Sequence, residues 1–317
     1  MSGVEAMSGA EPKPRGRIVL AGGTGTLGRS LGAFIHERAR GDADIVILSR
    51  TEPPPGPWRH ARWDGRNIGD WVRELDGASA LVNLCGRRFD CVKTPLTRDQ
   101  IIRTRVEPTL ALGRALRLAS SPPGAWVQMS GTGCYGDGRE ACDESSPFGV
   151  GFAPDVCRRW EGAFAEACTP DIRPVVLRAS FVLGRSGGAY PLLRRIARLG
   201  LGGRVGDGRQ GMSWIHELDM HRLLVRAITD ASMHGPYTAS APAPASNRAF
   251  MRELRRSQRV PIGVPAARWM VRLGAPLALG IDPELALEGR FCISRRLAQE
   301  GFAFRFPELA PALADLR

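Results

Sequence analysis

"RIVLAGGTGTLGRSLGAFI", residues 17–35, changes its hydrophobic period halfway along. Ile18, Val19 and Leu20 form a short continuous apolar run, the mark of a strand buried on both faces. From Leu27 onward the apolar residues Leu27, Leu31, Phe34 and Ile35 lie along one side of a helix. Between the two periods stand Gly22, Gly25 and Gly28, spaced three apart. A strand, a glycine loop and a helix in that order suit the pyrophosphate of a dinucleotide. The first glycine permits a tight turn, the second lets the backbone approach the phosphates, and the third lets helix close on strand. The helix N-terminus adds free N–H groups and the positive end of its dipole.

Outward from this unit the same grammar repeats. "DIVILS" (44–49), "ALVNLCG" (80–86), "GAWVQMS" (124–130) and "RPVVLRASFVL" (173–183) read as strands, and helical stretches start near Thr97 and span about 155–168. Pro108 predicts a kink in the first of these helices. Such alternation predicts an α/β, Rossmann-like doubly wound parallel sheet. Past Leu183 glycines crowd "LGLGGRVGDGRQG" (199–211), after which "HELDMHRLLVRAI" (216–228) and "GPYTASAP" (235–242) return to the sheet. The expected division is a mobile tail over 1–16, a Rossmann domain over 17–183 plus about 211–245, and a small, mainly helical C-terminal substrate lobe over about 184–210 plus 246–317.

Composition narrows the function. The 317 residues are 43% hydrophobic, as in a globular chain, and the longest apolar candidate, "WMVRLGAPLALGI" (269–281), is too short to span a membrane. The N-terminus has no apolar signal region. Seven cysteines form no Cys-x-x-Cys pair, and the five histidines make no ligand cluster with them, so neither a disulfide framework nor a metal site is expected, and the cytoplasm is the expected compartment. The net charge of +12 raises the question of nucleic acid. All but two of the 44 basic residues, Lys13 and Lys93, are arginine, spread along the whole chain. That spread excludes a basic tail, so no nucleic-acid partner is expected, and the charge suits an anionic ligand. Where an acidic residue at the end of the second strand would bind a ribose 2′-hydroxyl, this chain has Ser49 and Arg50, which suit a 2′-phosphate. NADP(H) is therefore expected over NAD(H).

The glycine spacing resembles that of extended and atypical short-chain dehydrogenase/reductases. "TRDQIIRTRVEPT" (97–109), "MSGTGCYGDG" (129–138), "RRWEGAF" (158–164) and "GFAFRFPELAPAL" (301–313) are similar to successive blocks of the epimerase-like subgroup, described as NAD-dependent epimerase/dehydratase, with its own C-terminal segment. The resemblance implies that Gly22, Thr24, Gly25, Thr26, Leu27 and Gly28 meet the pyrophosphate, Arg50 the adenosine ribose, and Asp64 the adenine. It implies that Asn83 and Gly86 line the cofactor, and that Ser130, with Thr132 as a second candidate, binds the reacting oxygen. The superfamily's Tyr-x-x-x-Lys pair, in which a cation lowers a phenol, falls on Val156 and Trp160, which cannot do this work. Tyr135 is then the first choice for the acid–base group, ahead of Cys157, Arg158 and Glu161. In "GRQGMSWIH" (208–216) Met212 stands where sugar-nucleotide members place an arginine, which argues against a nucleotide sugar. Gln210, Trp214 and His216 are the expected pocket residues. The implied function is an NADP(H)-binding oxidoreductase or epimerase-like enzyme for a small carbonyl or alcohol. The alternative is a non-catalytic NADP(H)-binding sensor or assembly protein.

Overall fold

In the computed structural model, which describes residues 13–317, the change of period in the opening stretch becomes strand β1 (Gly16–Ala21) followed by helix α1 (Thr26–Ala39). Residues 1–12 of the expected tail lie outside the described residues. β1 lies inside a seven-stranded sheet, third from one edge. The others are β2 (Ala43–Ser49), β3 (Arg59–Arg62), β4 (Ala80–Asn83), β5 (Ala125–Gly131), β6 (Arg173–Ala179) and β7 (Gly235–Ala239). Their order is β7-β6-β5-β4-β1-β2-β3, with every pair parallel. The winding reverses between β1 and β4, which opens a cleft at the carboxyl ends of these strands.

Side chains of a strand alternate between faces, and both faces here are apolar. Ile18, Leu20, Ile45 and Ile47 pack under α1 and α5 (Glu217–Thr229). Val19, Ala21, Val46 and Leu48 pack under α2 (Pro95–Leu116) and α3 (Phe152–Ala167). Each such fully buried aliphatic contributes about 1.5–3 kcal/mol of transfer free energy. A third core joins Tyr190 of α4 (Tyr190–Arg198), Trp214, and Phe250 and Leu254 of α6 (Asn247–Ser257) to Leu313 near the C-terminus.

Three details differ from the sequence reading. β3 has no apolar alternation, because it is an edge strand whose Arg59 pairs with Asp44 on β2 at 2.7 Å. The run "RPVVLRASFVL" divides at Ser180, whose Oγ donates to the Ala239 carbonyl, and residues 181–183 turn away to pair with 214–216. α2 starts at Pro95, two residues ahead of Thr97, and contains Pro108. The C-terminal segment is tied back at several places, among them the following two. Residues 291–292 pair with 141–142, and Lys93 meets Asp282 at 3.1 Å with both side chains buried. Among the described residues no helix is long and apolar enough to cross a membrane.

Candidate active site

Two groups of residues border the cleft: the β1–α1 loop, which the sequence reading assigns to phosphates, and side chains on β5 and β6, which it assigns to the reacting oxygen. Gly22 adopts φ 74°, and a Cβ there would lie 2.9 Å from the backbone of Cys85. At Gly28 a Cβ would lie 2.5 Å from the Gly23 backbone, so this glycine lets α1 close on the loop. Gly25 is different: a Cβ would meet only the Gly22 carbonyl, at 4.0 Å. No protein atom requires glycine at that position. An anion drawn against the backbone does, so the loop fits a dinucleotide. Gly25 is also the N-cap of α1 and supplies no side-chain cap, and the first turn carries no acidic residue. The N–H groups at Thr26 and Leu27 thus lack a side-chain acceptor. Thr24 and Thr26 are half-buried, and Gly187, in the loop after residues 181–183, presses on Thr26 so closely that a Cβ there would clash at 2.4 Å.

At the end of β2, the Ser49 hydroxyl is turned to the Thr51 carbonyl at 2.7 Å. Arg50 is exposed and makes no hydrogen bond or ion pair among the described residues. Asp64 caps its own turn. Its Oδ1 accepts from the backbone N–H groups of Arg66 and Asn67 at 2.8 and 2.9 Å, bonds that hold its carboxyl below the usual range. Asn83 is fully buried and turned inward: its Nδ2 donates to Thr109 Oγ1 and Gln128 Oε1, both at 3.0 Å. Thr109 also accepts from Trp160 Nε1 at 3.2 Å. Trp160, at the position of the family's lysine, is thereby pinned as a wall. Over its ring, at 5.0 Å, lies the guanidinium of Arg105, which also borders Gly86 and which burial lowers to about 10.

The reacting end is built from strand register and one turn of α3. Ser130 on β5 stands beside Arg178 on β6, and α3 brings Glu161 over both. Ser130 Oγ donates to Glu161 Oε1 at 2.6 Å. Arg178 grips the same carboxylate with two bonds, Nε to Oε1 at 3.0 Å and Nη2 to Oε2 at 2.8 Å. The pair is buried, with side chains 7% and 15% exposed. Burial alone would lower the Arg178 guanidinium, but the bonds and charge of Glu161 outweigh it and raise it. Arg178 Nη1 donates to the Tyr135 hydroxyl at 3.2 Å, which also lies 2.9 Å from Thr238 Oγ1.

This arrangement adds a second candidate acid–base group. Burial pushes the Tyr135 phenol far above its ordinary value, although Thr238 and Arg178 oppose the shift. The Tyr135 hydroxyl is engaged with Thr238 and Arg178, whereas the Ser130 hydroxyl donates to Glu161, with the Cys157 thiol beside it. Burial likewise pushes the Cys157 thiol up, and Arg158 reaches the Gly149 carbonyl on an exposed surface. Thr132 is buried at the start of the turn Thr132–Tyr135.

The expected pocket residues are placed as follows in the fold. Trp214 is fully buried in the C-terminal core and donates to the Ala243 carbonyl at 3.1 Å. His216, 3% exposed, caps α5 by accepting from the Leu218 N–H and stacks on Phe306. Gln210 donates to the Val205 and Ala286 carbonyls. All three make contacts within the protein, and Gln210 remains half-exposed. Conversely, the sequence reading does not reach Arg178 or Arg105. A signal existed for the first, since an arginine inside the apolar run "VVLRAS" needs a buried partner.

Residues 18–238 match the NAD dependent epimerase/dehydratase family, and residues 266–316 match a Domain of unknown function (DUF1731). The human Epimerase family protein SDR39U1 is 33% identical over 310 residues, 95% of this chain and 99% of that protein. A crystal structure of human SDR39U1 (isoform 2) with NADPH superposes with a TM-score of 0.83 at 30% identity, covering 95% of this chain and 98% of that one. A nucleoside-diphosphate sugar epimerase from Corynebacterium glutamicum gives 0.75 at 30% identity, covering 95% of this chain and 58% of the other. Together with the glycine loop at the switch point and the serine at the end of β5, these matches establish that the chain belongs to the NAD-dependent epimerase/dehydratase family.

Proposed function

We propose that the cleft binds NADPH and that the protein exchanges hydride and proton with a small carbonyl or alcohol, Ser130 and Glu161 taking the place of the Tyr-x-x-x-Lys pair. The observation that carries this reading is the 2.6 Å bond from Ser130 Oγ to Glu161 Oε1. A bound nicotinamide supplies the hydride acceptor or donor. In the oxidising direction, Ser130 Oγ accepts the proton of the substrate hydroxyl as its own proton passes to Glu161. In the reducing direction the proton returns along the same two groups. Arg178 orients the carboxylate through its two bonds, and Tyr135 braces Arg178 from the other side. The unpartnered Arg50 supports NADPH over NADH, as does the NADPH in the crystal structure of the human relative.

The non-catalytic reading, a sensor or assembly protein, has one observation in its favour: the hydroxyls of Ser130 and Tyr135 already have protein partners. Kinetics and binding separate the two. Ser130→Ala and Glu161→Gln should each lower NADPH-dependent reduction across a panel of aldehydes and ketones by about a hundredfold, the range for loss of a positioned acid–base group. Tyr135→Phe should lower it less. NADPH should raise the melting temperature of all four proteins alike. NADPH stabilisation without turnover of any compound in the panel would decide for the sensor.

A further inference from the structure

In the C-terminal part of the fold, α6 (Asn247–Ser257) has two unlike faces. Phe250, Met251 and Leu254 enter the third core, whereas Arg248, Arg252 and Arg255, spaced four and three apart, line a groove of about 320 Å3. Arg204, Gly203, Gly263 and Pro265 complete it from two loop segments hydrogen-bonded to each other. The Val264 N–H donates to the Gly200 carbonyl at 2.8 Å, and the Gly203 N–H to the Val264 carbonyl at 3.2 Å. Four guanidinium groups thus converge with little to neutralise them. Among the described residues only Arg252 has a carboxylate partner, Glu253 at 3.0 Å. Arg204, Arg248 and Arg255 bond backbone carbonyls alone, and Arg255 Nε is buried without an acceptor.

The rim of the groove is of opposite character. The same two segments expose Leu199 (65%), Leu201 (55%), Ile262 (70%) and Val264 (51%). An arginine groove alone would suit any phosphate, but nothing in a free phosphate or a nucleic-acid backbone rewards an aliphatic border. A second copy of the chain on a two-fold axis would set these arginines against themselves. One partner matches both features: the surface of an anionic phospholipid bilayer, where guanidinium groups meet headgroup phosphates and exposed aliphatics enter the acyl boundary. We propose that this face, built on α6 and the 199–205 and 262–266 segments, docks the protein peripherally on anionic membranes.

The test is flotation of the full chain with vesicles of phosphatidylcholine alone or with about 30 mol% phosphatidylglycerol. Binding is expected to the anionic vesicles only. It should weaken at least tenfold in Arg248→Glu/Arg252→Glu and, separately, in Leu201→Asp/Ile262→Asp. Circular dichroism melts identify any variant that is misfolded, and for such a variant the milder Arg248→Gln/Arg252→Gln or Leu201→Ser/Ile262→Ser is substituted. No binding to anionic vesicles overturns the proposal, as does binding that survives the arginine changes. Binding that the arginine pair weakens but the aliphatic pair does not touch also overturns it, because the groove is then a general polyanion site. Tighter binding to a single-stranded RNA in the same salt has the same consequence.

Discussion

The two ends of the cleft are built by different means. At the phosphate end, seven consecutive residues, Gly22 to Gly28, supply the turn, the approach surface and the helix N-terminus; backbone contacts require glycine at Gly22 and Gly28, while Gly25 faces open space. The reacting end draws Ser130, Tyr135, Glu161, Arg178 and Thr238 from five places spread over more than a hundred residues. The first end is a property of backbone geometry. The second is a property of packing, since it exists only once β5, β6 and α3 are in register. A lost side chain at the second end leaves partners stranded in the interior, whereas a change at the first meets either ligand or a single neighbour.

The strongest way to sharpen that contrast is to strand a charge. Arg178→Met leaves the Glu161 carboxylate buried beside Ser130 without its cation, and removal of one partner of a buried ion pair costs about 3–5 kcal/mol. Chemical denaturation should record that loss, and Arg178→Met with Glu161→Leu should recover much of it, because a nonpolar pair leaves no uncompensated charge. If the single variant unfolds at the wild-type midpoint, the network is not the structural unit described.

These two ends also divide what the sequence could tell. The doubly wound sheet was legible because period-2 and period-3.6 patterns are local and alternate along the chain, as they do from Ile18 to Ile35. β3 escaped because an edge strand held by Arg59 and Asp44 need not be apolar. Ser130 was reachable through resemblance, but its partner was not: nothing in "RRWEGAF" says that Glu161, rather than the exposed Arg158, reaches the Ser130 hydroxyl. Trp214 and His216 show the same limit. Sequence places their polar tips near a cleft but does not show the internal contacts they make, from Trp214 to the Ala243 carbonyl and from the Leu218 N–H to His216 Nδ1, nor that His216 Nε2 is buried without a hydrogen-bond partner among the described residues.

The contrast is tested next from the phosphate end, where one contact is long-range after all. His221 on α5 lies 2.9 Å from the hydroxyl of Ser30, on the first turns of α1, and burial lowers it to about 4. The ring is neutral in the folded protein, while the unfolded chain takes up a proton near its ordinary 6.5. Stability is therefore complete above about pH 6.5 and is lost as pH falls toward about 4, with a total on the order of 3 kcal/mol. His216, also lowered by burial, adds in the same direction. Unfolding free energy should fall between pH 7 and pH 4.5, and less so in His221→Gln. Parallel pH profiles for wild type and variant would mean that His221 is not the group responsible.

Two glycines three residues apart should then fail in different ways. Gly28→Val drives a side chain into the Gly23 backbone and should lower the stability of the cofactor-free protein by about 2 kcal/mol, the scale of overpacking. Gly25→Trp enters open space, so the cofactor-free melting temperature should hold while the shift given by NADPH disappears. Equal effects of the two substitutions on the cofactor-free protein would erase the distinction between a fold glycine and a ligand glycine.

The smallest expected effect is the one that bears on cofactor choice. Arg50 makes no bond to the protein, so its removal should cost the fold nothing, and whatever it contributes must appear in binding. With the guanidinium beside a ribose 2′-phosphate, NADPH should bind at least about tenfold more tightly than NADH, a difference of about 1.4 kcal/mol. Because Arg50 is exposed, part of that preference is screened and should shrink as salt is raised, whereas hydrogen bonds from the loop backbone should respond much less. Arg50→Asp should narrow or invert the preference while leaving thermal stability unchanged. Fluorescence titrations of both cofactors at two ionic strengths measure each quantity. Equal affinities in the wild type would remove Arg50 from the site and leave the β1–α1 loop as the sole determinant of cofactor binding.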